Sequence, residues 1–173
     1  MCGDPKRLGL DPYNDTVLHD IVKKVREWLI REGLFDEERF ANALVSIAQL
    51  LSYNESGGAL PVETLIEGSV CAGKAGLVVV LLRIAGYEAC VLDLPNHNAI
   101  AVHLSRPPRF ALTNDPWYVV FKGRRYYVVE SVVLSTVGTP LRPSAFKEGL
   151  VGMAWPYHGE KPEKIHAPPY REE

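Results

Sequence analysis

Glu67-Gly68-Ser69-Val70-Cys71-Ala72-Gly73-Lys74-Ala75-Gly76-Leu77-Val78-Val79-Val80-Leu81-Leu82-Arg83-Ile84-Ala85-Gly86 is the stretch around which the rest of the chain is organised. From Ala75 to Ile84 it is apolar almost all the way round a helix. An all-round apolar helix has no face for solvent, so it is expected at the centre of a domain. The spacing predicts a helix over 71–85, closed by Gly86. Cys71 falls in its first turn, where free N–H groups and the helix dipole favour an anion. A thiol at that place loses its proton more readily and becomes a nucleophile. Ala72 and Gly73 are small and are expected to leave space beside it for a substrate.

The flanking segments change character on either side of this helix. Before it, Val17, Leu18, Ile21, Val22, Val25, Trp28 and Leu29 recur at helical spacing after a cap at Asn14 or Asp15, and Gly33 stops the run. A second helix is expected from Asp36, with Phe40, Ala43, Leu44, Ile47, Leu50 and Leu51 on one stripe, ending near Tyr53. After Gly86 the pattern turns to strands, over 88–94, 99–104, 117–121 and 125–133, the last two joined as a hairpin through Lys122-Gly123-Arg124. Helices first and strands after predict an α+β fold, with N-terminal helices and the buried Cys71 helix packed on an antiparallel sheet. A single domain over 1–173 is expected, its core over about 15–135. The Pro-rich stretch 140–173 reads as an extension with one short helix near 144–149 and a surface tail from Lys161.

Composition narrows the function classes. The chain has 173 residues, 47% of them hydrophobic, 23% charged, and a formal net charge of −2, which suits one core and gives no basic footprint for nucleic acid. The basic pairs Lys23-Lys24 and Arg124-Arg125 read as solvated faces. No stretch approaches the ~20 apolar residues of a membrane helix, and residues 1–10 lack the apolar run of a signal peptide, so a cytoplasmic location is expected. Three cysteines, Cys2, Cys71 and Cys90, without CxxC spacing predict neither a disulfide framework nor a structural zinc, and no metal or cofactor is expected. A single glutamine, Gln49, among Pro-rich loops points towards a thermophile source, although six asparagines remain.

A reactive thiol needs a base. His97 opens a strand after Pro95-Asn96, at a loop border where functional groups concentrate. His103 closes the same strand on the same face, but a strand of that length spans roughly 20 Å, so only one of the two can serve Cys71. Ala99 and Ala101 between them are small, as expected where a helix packs close. An orienting carboxylate is expected from Glu130, at the end of Tyr126-Tyr127-Val128-Val129-Glu130, with Asp115 as second choice. Cys90, inside an alternating strand, reads as core, and Trp28 and Trp117 as packing. Trp155-Pro156-Tyr157 is a candidate wall of a substrate groove.

The stretch 61–71, followed by Ala75-Gly76-Leu77 and Leu81-Leu82-Arg83-Ile84-Ala85-Gly86, resembles the nucleophile motif of the transglutaminase-like superfamily. Leu94-Pro95-Asn96-His97-Asn98-Ala99 is similar to that family's histidine strand, and Tyr126-Tyr127-Val128-Val129-Glu130 to the strand ending in its acid. Upstream, Ala48-Gln49-Leu50-Leu51-Ser52-Tyr53 is similar to a helix of the prokaryotic branch, where a glutamine helps bind the oxyanion. The resemblance spans roughly residues 36 to 135. It implies a papain-like fold, with Cys71 as nucleophile, His97 as base, Glu130 as orienting acid and Gln49 at the oxyanion. It also implies acyl transfer through a thioester: hydrolysis of a peptide or amide bond, or cross-linking to an amine. Ala72-Gly73 stand where many relatives carry acids, and the 104–122 segment is longer than usual. Those departures leave open a module that binds a peptide or protein without cleaving it. Substrate and oligomeric state are not legible.

Overall fold

The structure, a computed structural model, describes residues 12–139, 146 and 148–168. Four helices lie in the first half: α1 (Thr16–Arg31), α2 (Glu37–Leu50), α3 (Pro61–Glu67) and α4 (Cys71–Ile84). Each start has a local cause. Asp15 accepts from the N–H groups of Val17 and Leu18 at 2.9 and 3.3 Å, and Asp36 from that of Arg39 at 2.9 Å, which satisfies donors the helix leaves open. The short helix α3 is absent from the sequence reading. Its signal is Pro61 at the first helical position and Glu63 two residues on, whose carboxylate takes the N–H groups of Ala59 and Leu60 at 3.2 Å each.

Six strands form one sheet, β1 (Ala89–Leu94), β2 (His97–His103), β3 (Tyr118–Phe121), β4 (Arg124–Val129), β5 (Gly152–Met153) and β6 (Lys164–His166), in the order β5-β1-β2-β4-β3-β6. Every pairing is antiparallel. The fold is therefore α+β. Two-residue turns set both hairpins. Pro95-Asn96 joins β1 to β2 with Asn96 at φ 56°, and Lys122-Gly123 joins β3 to β4 with both residues at positive φ, the backbone that tight hairpins require. The strand expected over 125–133 ends at Val129, because the chain leaves the sheet at Glu130. The surface tail expected from Lys161 lies along the surface as β6, on the edge of β3. The helix expected near 144–149 falls largely outside the described residues, as does Cys2.

Helix α4 is buried from Gly73 to Leu82 except at Gly76, and packs between the other helices and strands β1 and β2. Each of its fully covered Val and Leu side chains contributes about 1.5–3 kcal/mol. The sheet meets this layer with Ala89, Val91, Ile100, Val102, Tyr127 and Val129. Its other face is also covered, by a second cluster of Cys90, Leu92, Ala99, Ala101, Tyr126, Val128, Trp117, Phe121, Phe146 and Met153. This corrects the expectation that a helix packs on Ala99 and Ala101. The large Ile100 and Val102 face the helices, and the two alanines leave room for aromatic rings on the far side. The long 104–122 segment is tied to the start of α2: Glu37 accepts from the N–H of Ser105 at 2.9 Å, and the buried Glu38 from those of Arg109 and Phe110 at 2.8 and 2.7 Å. Among the described residues, no helix is long and apolar enough to cross a membrane.

Candidate active site

The loop before α4 decides where Cys71 stands. Gly68 ends α3 at φ 74°, and a Cβ there would lie 2.4 Å from the Ser52 carbonyl oxygen, so only glycine lets the loop pass. Ser69 then bridges to Tyr53 and gives its hydroxyl to the Gly58 carbonyl at 2.9 Å. Gly73 lies against that hydroxyl; a Cβ on it would sit 2.1 Å from Ser69 Oγ. The small residue makes room for the loop and not for a substrate, which corrects the sequence expectation. Val70, the cap residue of α4, has no side-chain group to offer, so the first-turn N–H groups stay available to an anion. One turn on, Lys74 is 1% exposed and donates to the Leu51 carbonyl at 2.6 Å. It closes the C-terminal end of α2, and burial lowers its pKa.

Cys71 is partly exposed, and the His97 ring acts on its thiol to lower its pKa. On its other side His97 donates from Nε2 to Glu130 Oε2 at 2.8 Å, with both side chains buried. Nε2 being taken, Nδ1 is the nitrogen left for the sulfur. The register explains the reach of the acid. Ile100 pairs with Val129, so continuing the ladder would set Glu130 beside Ala99, on the face of His97 and two residues away. The electrostatics follow from the geometry. The Cys71 sulfur and the Glu130 carboxylate both favour the imidazolium, raising the His97 pKa to about 9 against the cost of burial. The His97 ring holds the Cys71 pKa below the ordinary thiol value, helped by the N–H groups of Asn98 and Ala72 and opposed by desolvation. The arrangement favours a thiolate–imidazolium pair, with a buried carboxylate that would cost several kcal/mol if left alone.

Gln49 is brought to Glu130 and not to the sulfur. Its Nε2 donates to the carbonyls of Glu130 and Ser135 at 2.9 and 3.0 Å. Both amide hydrogens are thereby committed, so the expected oxyanion donor is instead a clamp on the chain that carries the acid. Asp115 pairs with His166 at 2.8 Å, and His103 meets the Arg125 carbonyl at 2.8 Å; neither joins the Cys71 group. Trp155 stacks on Tyr13, and its carbonyl takes the N–H of Val91 at 2.9 Å, which makes it part of the packing beside β1.

Two residues that sequence reasoning passed over stand beside Cys71. Asn98 Oδ1 lies 4.0 Å from Cys71 Sγ, and the Asn98 amide donates to Asp93 Oδ1 at 3.3 Å. Ser131 is buried and its hydroxyl donates to the Cys71 carbonyl at 3.5 Å. The pairing of β2 with β4 stops at Ile100 and Val129, which frees Asn98 and Ser131 from each other and turns both towards Cys71. The available signal was their position, each immediately after a candidate residue. Among the described residues, no group of three or more His, Cys, Asp or Glu side chains could hold a metal ion. No family model, curated protein or solved structure matches the chain.

Proposed function

We propose that the protein is a cysteine-dependent acyl-transfer enzyme of the transglutaminase-like, papain-related kind, hydrolysing peptide or amide bonds through a thioester on Cys71. The observation that carries the reading is the buried pair of His97 and Glu130, joined at 2.8 Å, whose ring lowers the pKa of the Cys71 thiol at a helix start. A nucleophile, a base and an orienting acid in hydrogen-bond contact are what thiol acyl transfer requires. Cys71 attacks as a thiolate, and His97 protonates the leaving nitrogen. Glu130 holds the ring orientation and the positive charge. With Gln49 engaged elsewhere, the uncapped first-turn N–H groups of α4 are the donors for the oxyanion, where one donor is typically worth about 3 kcal/mol of barrier. Large apolar side chains stand exposed on the segments framing the sulfur, Ile66 before it and Leu134 after the acid, which suits a peptide bearing apolar side chains.

The test compares wild type with Cys71→Ala on a panel of peptides and small amides, with circular dichroism to confirm the fold. Wild-type turnover and none in the variant supports the reading. Equal turnover in both, or none in wild type across the panel, sinks it.

A further inference from the structure

Asn98 follows His97 in β2, and Asp93 faces it across the hairpin. A carboxylate only accepts hydrogen bonds, so Asp93 takes the Asn98 nitrogen at 3.3 Å and fixes which end of the amide points where. The oxygen is left towards the sulfur, 4.0 Å away. While Cys71 is neutral, its S–H supplies a donor to that oxygen. When the proton passes to His97 the donor is gone, and an acceptor faces the reacting centre. Having no hydrogen on that side, it cannot bind an oxyanion. It is placed for an incoming group that carries an N–H.

We propose that Asn98 Oδ1 accepts the N–H of the scissile amide, making the site selective for amides with a hydrogen on the leaving nitrogen over esters and over bonds to a proline nitrogen. The proposal rests on the acyl-transfer reading above. A nitrogen attached to a carbon bonded to Sγ comes within hydrogen-bond reach of an oxygen at this distance from the sulfur. In the step itself, the Sγ–carbon bond forms as the carbonyl π pair moves onto oxygen. The oxygen pair then returns and the carbon–nitrogen bond breaks. Its electron pair stays on nitrogen, which takes the proton from His97 and leaves as the free amine. Water then gives a proton to His97 and its hydroxyl to the acyl carbon. The thioester bond breaks and the thiolate returns. By holding the N–H, Asn98 turns the developing lone pair of the nitrogen towards the imidazolium and not away from it.

The experiment measures kcat/KM on capped aminoacyl amides of 7-amino-4-methylcoumarin and on the matching 7-hydroxy-4-methylcoumarin esters. It uses wild type, Asn98→Ala, Asp93→Ala and Cys71→Ala, with thermal melts to confirm folding. The amide-to-ester ratio is expected to fall about tenfold in Asn98→Ala, the worth of one transition-state hydrogen bond. A smaller fall in the same direction is expected in Asp93→Ala, where the amide is free to turn. A ratio unmoved in both variants, while Cys71-dependent turnover persists, overturns the role of Asn98 and leaves the acyl-transfer reading standing. Absence of Cys71-dependent turnover in wild type on either substrate overturns both.

Discussion

Cys71 and Cys90 are the same side chain in two backbone settings, and the settings reverse its chemistry. Cys71 opens α4 beside His97, and its pKa is held below the ordinary thiol value. Cys90 lies in β1 within the apolar far face of the sheet, where burial pushes its thiol up to about 12. Neither composition nor cysteine count separates them. A helix start supplies N–H groups and a partner supplies charge. The middle of a strand has its N–H groups tied into the ladder, and there burial outweighs the charge of Arg83. Thiol acidity in this chain is a property of place.

The largest test of that contrast is alkylation. In a Cys2→Ser background, iodoacetamide is expected to label Cys71 at neutral pH far faster than a free thiol of pKa ~8.5, and to leave Cys90 untouched until the protein unfolds. Peptide mapping by mass spectrometry reads both sites at once. Labelling of Cys71 at the rate of a free thiol, or parity between the two cysteines, breaks the comparison.

The next test removes the charge that separates the sites. The proposed acylation needs Cys71 as thiolate and His97 as imidazolium. The His97 pKa is raised to about 9, so activity is expected to fall as pH rises through about 9. The lowered Cys71 pKa keeps the acid limb below the usual thiol range. Glu130→Gln takes away a carboxylate that favours the imidazolium, so the alkaline limb of the kcat/KM profile is expected to move to lower pH. A limb that stays in place would show that Glu130 does not govern the ring.

Cys71, His97 and Glu130 were legible because each stands at a boundary that sequence can mark: a helix start, a strand start after Pro95-Asn96 and the end of an apolar strand. Three of the four helices and four of the six strands were legible from periodicity. The second core was not. It is completed by Phe146 and Met153, from a Pro-rich stretch with no period of its own, and the parity of Ala99 and Ala101 cannot tell which face a helix takes. Gln49 was visible as the only glutamine, but its partners are main-chain carbonyls of Glu130 and Ser135. A carbonyl leaves no trace in residue identity, so the same side chain reads equally as oxyanion donor or clamp. Gln49→Ala separates the two. As a clamp, its loss leaves two carbonyls without their donor, at about 2 kcal/mol of stability, and loosens Glu130, shifting the alkaline limb in the direction of Glu130→Gln. An oxyanion donor would lower kcat with melting temperature and limb unchanged.

The smallest effect belongs to the other cysteine. Cys90 is fully buried between strands, packed with Leu92, Ala101 and Tyr126. Cys90→Ala removes one sulfur from that cluster and is expected to cost about 1 kcal/mol, the scale of a small core deletion. Cys90→Ser keeps the shape but buries a more polar group where the surroundings are apolar, at about 1–2 kcal/mol. Urea denaturation reads both, and serine is expected to be the worse of the two. If alanine is the worse, sulfur volume and not polarity holds the site, and the far face is packed more tightly than its alanines imply. In either variant the iodoacetamide rate at Cys71 is expected to match the parent. Strand β2 stands between the two clusters, with Ala99 and Ala101 in the far-face one and Ile100 and Val102 in the helix-side one. A change in that rate would mean that the two sites, set apart by their backbones, are coupled through the sheet between them.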